Sequence, residues 1–242
     1  MTGVGALVLH GFTSTTASME PVADAVAAAG FDVELPLLPG HGTRWEDLAA
    51  TDAQAIFEAV DAVHRRLAAR CATVIPVGLS MGGALALRSA ALQQSPAAVV
   101  INPGLRLNPG TGVGARLLSR IKPTIGSIAG DIAKPGVTEE AYALTPLRAV
   151  AELSDIFRAC RAELPQLVQR RTKVLLLRSA VDNVVGSASA TLLKRTLGAQ
   201  VQEVILRRSR HVATLDYEVD LVQRRVIEVL QQHADRTPHI GP

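Results

Sequence analysis

Residues 74–92 read VIPVGLSMGGALALRSAAL, and this stretch decides the fold. Its left half holds β-branched Val74, Ile75 and Val77 and stops at Gly78, the pattern of a short buried strand. Its right half is built from strong helix formers: Ala84, Leu85, Ala86, Leu87, Ala90, Ala91 and Leu92. Between them stands Ser80, a lone hydroxyl among glycines at a strand-to-helix joint. A packed core has no use for it there, whereas a tight turn that presents a nucleophile needs small residues on either side. Gly78-Leu79-Ser80-Met81-Gly82 matches GxSxG, a weak signal as bare letters and a specific one at this joint. The helix N-terminus adds a field that favours negative charge beside the serine.

Outward from this joint, short apolar runs alternate with longer amphipathic segments. Strands are expected at 6–9, 31–35, 73–78, 98–101, 173–178 and 203–206, and helices at 19–29, 53–70, 81–94, 188–197 and 216–233. Near-continuous apolar strands separated by helices predict an α/β fold, a mostly parallel sheet of about six or seven strands covered on both faces. Residues 103–171 break the rhythm, with scattered glycines and prolines and no convincing strand. The expected organisation is therefore a core of residues 1–102 and 172–242, carrying a cap or lid insertion over 103–171. Gly110, Gly112 and Gly114 form GxGxG rather than GxGxxG and follow no strand, so they do not read as a dinucleotide loop. Arg106, Arg116, Arg120 and Lys122 lie near Val113, Leu117, Leu118 and Ile121. That set reads first as a solvated helix face over a core-facing stripe, with a helix that touches a lipid surface as the alternative. The tail HADRTPHIGP is expected to fray.

Composition narrows the function classes. The 242 residues are 48% hydrophobic and only 3% aromatic, with a formal net charge of +3. No basic patch is interleaved with aromatics, which argues against nucleic acid. No run of eighteen apolar residues predicts a membrane span, and the N-terminus reads as a strand, not as a signal peptide. Cys71 and Cys160 are far apart and show no metal-ligand spacing, which suits a reducing cytoplasm.

A serine nucleophile needs an imidazole base, and the base needs a carboxylate to orient it. Of the six histidines, His211 alone follows a late strand and precedes the last helix. Asp182 is the only carboxylate in the loop after the strand KVLLLRS; Asp131 and Asp155 fall inside the insertion and are not expected to reach. The expected triad is Ser80, Asp182 and His211. For the oxyanion, the expected backbone N–H donors are Met81, which follows the nucleophile, and Phe12, in the loop after the first strand.

The stretches LHGFTST, PLLPGHGT, GLSMGG, INPGLRL, GDIAKPGVTEEAYALTPL, RSAVDNVVG and SRHVATLD run through almost the whole chain. In them the sequence resembles the α/β-hydrolase superfamily, and more closely the bacterial monoacylglycerol lipases and related small carboxylesterases. It departs from that pattern in a shorter segment before HGF, which lacks the usual leading antiparallel strand. The resemblance implies the same triad and oxyanion donors, and an apolar acyl channel beneath a cap. It also implies that His41 and Glu139 hold the glycerol hydroxyls, with neighbouring Glu140 leaving the second assignment open by one position. The reading is a serine ester hydrolase for monoacylglycerols or similar acyl esters, a small-molecule substrate, needing no metal or organic cofactor. A broad short-chain carboxylesterase is the runner-up, ahead of a thioesterase or a C–C bond hydrolase, and a non-catalytic binding protein stands last. Oligomeric state is left open.

Overall fold

The structure is a computed structural model that describes residues 3–234. Most of the tail expected to fray, residues 235–242, lies outside the described residues. In chain order the elements begin with β1 (Val4–Leu9), α1 (Glu20–Ala28), β2 (Asp32–Glu34), α2 (Trp45–Ala50), α3 (Ala53–Ala68), β3 (Thr73–Leu79), α4 (Met81–Gln93) and β4 (Ala97–Ile101). They continue with α5 (Thr111–Leu118), β5 (Thr124–Gly126), β6 (Leu144–Pro146), α6 (Leu147–Arg170), β7 (Lys173–Ser179), α7 (Ala188–Leu197), β8 (Val201–Leu206) and α8 (Val219–Ala234). Six strands make one sheet in the order β2-β1-β3-β4-β7-β8, and every neighbouring pair is parallel.

Period-2 alternation builds a core on each face of this sheet. Along β1, Val4, Ala6 and Val8 join α1 and α8 in one core, while Leu7 and Leu9 join α3, α4, α6 and α7 in the other. Helix α4 is apolar on nearly every side because it lies between the sheet and α6, with almost all its residues buried. Helix α3 needs only one apolar face. Ile56, Phe57, Val60, Val63 and Leu67 repeat at helical spacing and are buried, and the Asp52 carboxylate caps the first turn through the Ala55 N–H at 2.8 Å.

The boundary expected for the insertion is corrected by α6. Leu153, Ile156, Phe157, Cys160, Leu164 and Leu167 recur every three or four residues and pack into the larger core with α4. Residues 147–170 thus pack with the core of the sheet rather than apart from it. The segment before α6 also holds strands where none was expected: β5 and β6 pair antiparallel, Ile125 opposite Thr145.

The orientation of α5 overturns a second expectation. Ala115 is buried against α6, and a Cβ built on Gly112 would meet the Ser154 side chain at 2.5 Å. The small residues face inward so that the two helices approach closely. The large ones are left outside: Val113 is 68% exposed, Leu117 59% and Ile121 86%. Val113, Leu117, Leu118 and Ile121 therefore do not form a core-facing stripe.

Candidate active site

Ser80 ends β3 and caps α4 with φ 55° and ψ −116°. A non-glycine residue held there is strained, and the surroundings enforce it. The Ser80 N–H donates to the Ile101 carbonyl at 2.9 Å, and the Ser80 carbonyl accepts from Gly83 N–H and Gly104 N–H, each at 3.0 Å. The flanking glycines are required by contact. A Cβ on Gly78 would lie 2.1 Å from the Gly82 carbonyl oxygen, and one on Gly82 would lie 2.2 Å from the Leu9 carbonyl oxygen.

His211 and Ser80 line the same pocket, together with Gly11, Phe12, Leu107, Leu153, Phe157 and Glu139. The His211 Nδ1–H donates to Asp182 Oδ2 at 2.8 Å, and both side chains are almost wholly buried. Asp182 Oδ1 is held by the N–H groups of Val184 and Val185, each at 2.9 Å. Burial pushes the Asp182 carboxyl up, but the hydrogen bond and charge of His211, with those two N–H donors, outweigh it. The net pKa is lowered, so the group is a carboxylate at neutral pH. The loop after β1 lies against the serine, since a Cβ on Gly11 would sit 3.6 Å from Ser80 Cβ. Met81 is the first residue of α4, where a backbone N–H has no intrahelical carbonyl to bond.

The two residues expected at the alcohol end fare differently. Glu139 lines the pocket and Glu140 is not among its lining residues; Glu139 Oε2 is held by the Gly130 N–H at 2.8 Å. His41 is only 1% exposed and is not among the lining residues. Its ring stands edge-on behind Phe12, 6.5 Å between centroids, its Nδ1–H donates to the Pro39 carbonyl at 3.0 Å, and its Nε2 has no partner. Burial lowers its pKa. His41 is thus brought against Phe12, whose loop lines the pocket, and not onto the pocket wall itself.

Three residues that sequence reasoning passed over hold the constellation together. Asp131, set aside as out of reach, accepts from Asn183 N–H at 3.0 Å, Asn183 Nδ2–H at 2.7 Å and His211 N–H at 3.3 Å. One carboxylate from the insertion thus clasps both the Asp182 loop and the His211 loop. Asn102, buried with φ 43°, donates through Nδ2 to the His211 carbonyl at 2.8 Å and to Ser179 Oγ at 2.9 Å. Asp216 is fully buried and accepts from the N–H groups of Ala133, Lys134, Arg210 and Tyr217 at 2.7–3.0 Å. The only sequence signal for these roles is membership of the stretches GDIAKPG, INPG and HVATLD. Asp155 does stay away, paired with Arg116 and Arg158.

Residues 6–224 match the profile of the alpha/beta hydrolase family. A thermostable monoacylglycerol lipase of Bacillus sp. (strain H-257) is 35% identical, the alignment covering 96% of this chain and 92% of that protein. A solved structure from work on LipS and LipT, two metagenome-derived lipolytic enzymes, superposes with a TM-score of 0.90 at 31% identity, covering 96% of this chain and 95% of that one. A monoacylglycerol lipase from Paleococcus ferrophilus superposes at 0.76 with 16% identity, covering 96% and 97%, and speaks for the fold alone.

Proposed function

The chain belongs to the alpha/beta hydrolase family, and from that premise we propose that it is a carboxylic ester hydrolase cleaving monoacylglycerols or similar simple acyl esters. One observation carries the reading. A buried His211–Asp182 pair at 2.8 Å opens onto the same pocket as a serine held at φ 55°. Ser80 Oγ attacks the ester carbonyl carbon while His211 Nε2 takes its proton. The N–H groups of Phe12 and Met81 hold the resulting oxyanion. The carbonyl re-forms, the C–O bond to the alcohol breaks, and His211 gives its proton to the departing oxygen. Water then attacks the acyl-serine, losing a proton to His211, which returns it to Ser80 as the acid leaves. Asp182 keeps Nδ1 protonated and stabilises the imidazolium. Asp131, Asn102 and Asp216 are positioning residues that act through the two loops.

Leu107, Leu153 and Phe157 suit the acyl chain, and Glu139 is the polar group available to an alcohol hydroxyl. The test is kcat/KM for a 1-monoacylglycerol against the methyl ester of the same acid. A preference for the glyceryl ester that Glu139→Gln removes is expected. Equal values in the wild type make the protein a general carboxylesterase.

The proposal includes a partner, an anionic lipid surface. Val113, Leu117, Leu118 and Ile121 are exposed side by side in sequence, next to Arg120 and Lys122, which form no ion pair among the described residues. Apolar side chains with cations beside them match a negatively charged interface. Ile121→Ser is expected to lower sedimentation with phosphatidylglycerol vesicles and to leave cleavage of a water-soluble ester unchanged. Equal sedimentation of both proteins refutes the contact. Among the described residues no helix is long and apolar enough to cross a membrane. Cys71 and Cys160 are buried and unpaired, which supports a reducing, cytoplasmic setting.

A further inference from the structure

We infer that the cleft beside the ester pocket is an anion subsite, fitted to an acyl chain that ends in a carboxylate. The inference rests on the ester-hydrolase reading for its reaction, but the site itself stands on separate residues. The ester pocket encloses only about 100 Å³, while the cleft beside it holds about 460 Å³. Arg106, Leu107 and Phe157 line both, so the two cavities are neighbours across Leu107 and Phe157, the apolar side a chain too long for the pocket would follow.

The charge in that cleft is all of one sign. Arg106 and Arg161 line it, and no carboxylate does. The Arg106 guanidinium has no partner among the described residues; only its backbone N–H is used, donating to Ser189 Oγ. Arg161 donates to the Leu105 carbonyl and forms no ion pair among the described residues. Two acids of the neighbouring α6 turns are occupied elsewhere: Asp155 pairs with Arg116 and Arg158, and Glu152 faces Arg116. Burial, and then the charges of Arg106 and Arg158, hold the Arg161 guanidinium below its ordinary pKa. Two cations facing one cavity without a counter-charge repel, and an anion between them offsets that repulsion. Guanidinium groups match the planar, two-oxygen face of a carboxylate. Asn108 and Ser154 on the same walls add neutral donors.

The test compares monomethyl sebacate with methyl decanoate, equal in length and differing in the far carboxylate. The wild type is expected to cleave the half-ester at least as well as the neutral ester. Arg106→Gln is expected to lower the half-ester to neutral-ester ratio of kcat/KM about tenfold, the scale of a charge-assisted hydrogen bond. Arg106→Lys should restore part of it, and raising the salt should erode it. A ratio unmoved by Arg106→Gln overturns the subsite. A binding measurement separates this outcome from failure of the hydrolase reading. Sebacate should raise the wild-type Tm at low salt more than decanoate or inorganic phosphate does, and Arg106→Gln should abolish the difference. No shift with sebacate refutes the site even if neither ester is cleaved. An equal shift with phosphate refutes the acyl-end assignment.

Discussion

The elbow around Ser80 and helix α5 use the same residue, glycine, for different ends. At Gly78 and Gly82 the glycines are where backbone meets backbone, and a single added carbon would lie closer than 2.3 Å to a main-chain atom. In α5, Gly112 lets a helix approach a side chain, and Gly114 faces open space. The first region is determined from every side. The second is fastened along one face only and leaves its bulky side chains in solvent. The proposed chemistry sits where the chain has no freedom, and the proposed lipid contact where it has some.

Asp182→Asn should strike the determined region hardest. The asparagine cannot hold the imidazole with Nδ1 protonated, and kcat should fall on the order of 10⁴-fold, as in a protease triad. A loss under tenfold in steady-state assays would remove Asp182 from the mechanism.

Gly82→Ala and Gly114→Ala make one chemical change in the two regions, with opposite outcomes. The alanine at 82 meets the Leu9 carbonyl at 2.2 Å, so several kcal/mol of destabilisation or failure to fold is expected, at or beyond the upper end for overpacking, about 3 kcal/mol. The alanine at 114 meets nothing within 4 Å and should stabilise α5 by about 0.5–1 kcal/mol. Denaturant midpoints moving in the same direction would erase the contrast.

Acid should loosen the determined region. His10 is fully buried, its Nδ1–H donating to the Gly11 carbonyl and its Nε2 accepting from Leu38 N–H. Burial, then the neighbouring His41, lower its pKa from 6.5 to about 3, and burial lowers that of His64 to about 4. Below pH 6.5 the unfolded chain takes up protons that the folded chain refuses, so stability falls from there toward pH 3. Asp182, also lowered, adds its loss only once the pH drops below the ordinary carboxylate range of about 3.9. A Tm that is flat between pH 7 and pH 4 would contradict this.

Asp131→Ala probes the seam between the regions. It frees the Asp182 and His211 loops while leaving the pocket walls in place, so kcat should fall by roughly ten- to a hundredfold, by analogy with removal of a group that orients a metal ligand. KM should change little and the acid limb of the pH–rate profile should move. A purely structural role would instead lower Tm without touching that profile.

These contrasts also mark what could be read from letters. Ser80, Asp182 and His211 could be proposed from letters because each follows a strand whose apolar run announces it, Ser80 directly and the other two within a short loop. Glu139 became the pocket residue rather than Glu140 only in three dimensions. Asp131, Asn102 and Asp216 were illegible because the contacts by which they join separate loops reach backbone groups 52 to 109 positions away, and an acid or amide that will do so looks like any other in a loop. Helix α6 was hidden in a segment read as a whole from its glycines and prolines.

Local sterics and periodicity were enough to determine the alternating strands and helices and the glycines beside the serine, since each depends on neighbours within a turn or a strand. The tertiary structure alone decided that His41 packs edge-on against Phe12, that α5 turns its large apolar residues outward, and that Arg106 and Arg161 share a cleft. Those outcomes depend on which surfaces meet after the chain has closed long loops, and the meeting of α5 with α6 was settled by the small volumes of Gly112 and Ala115.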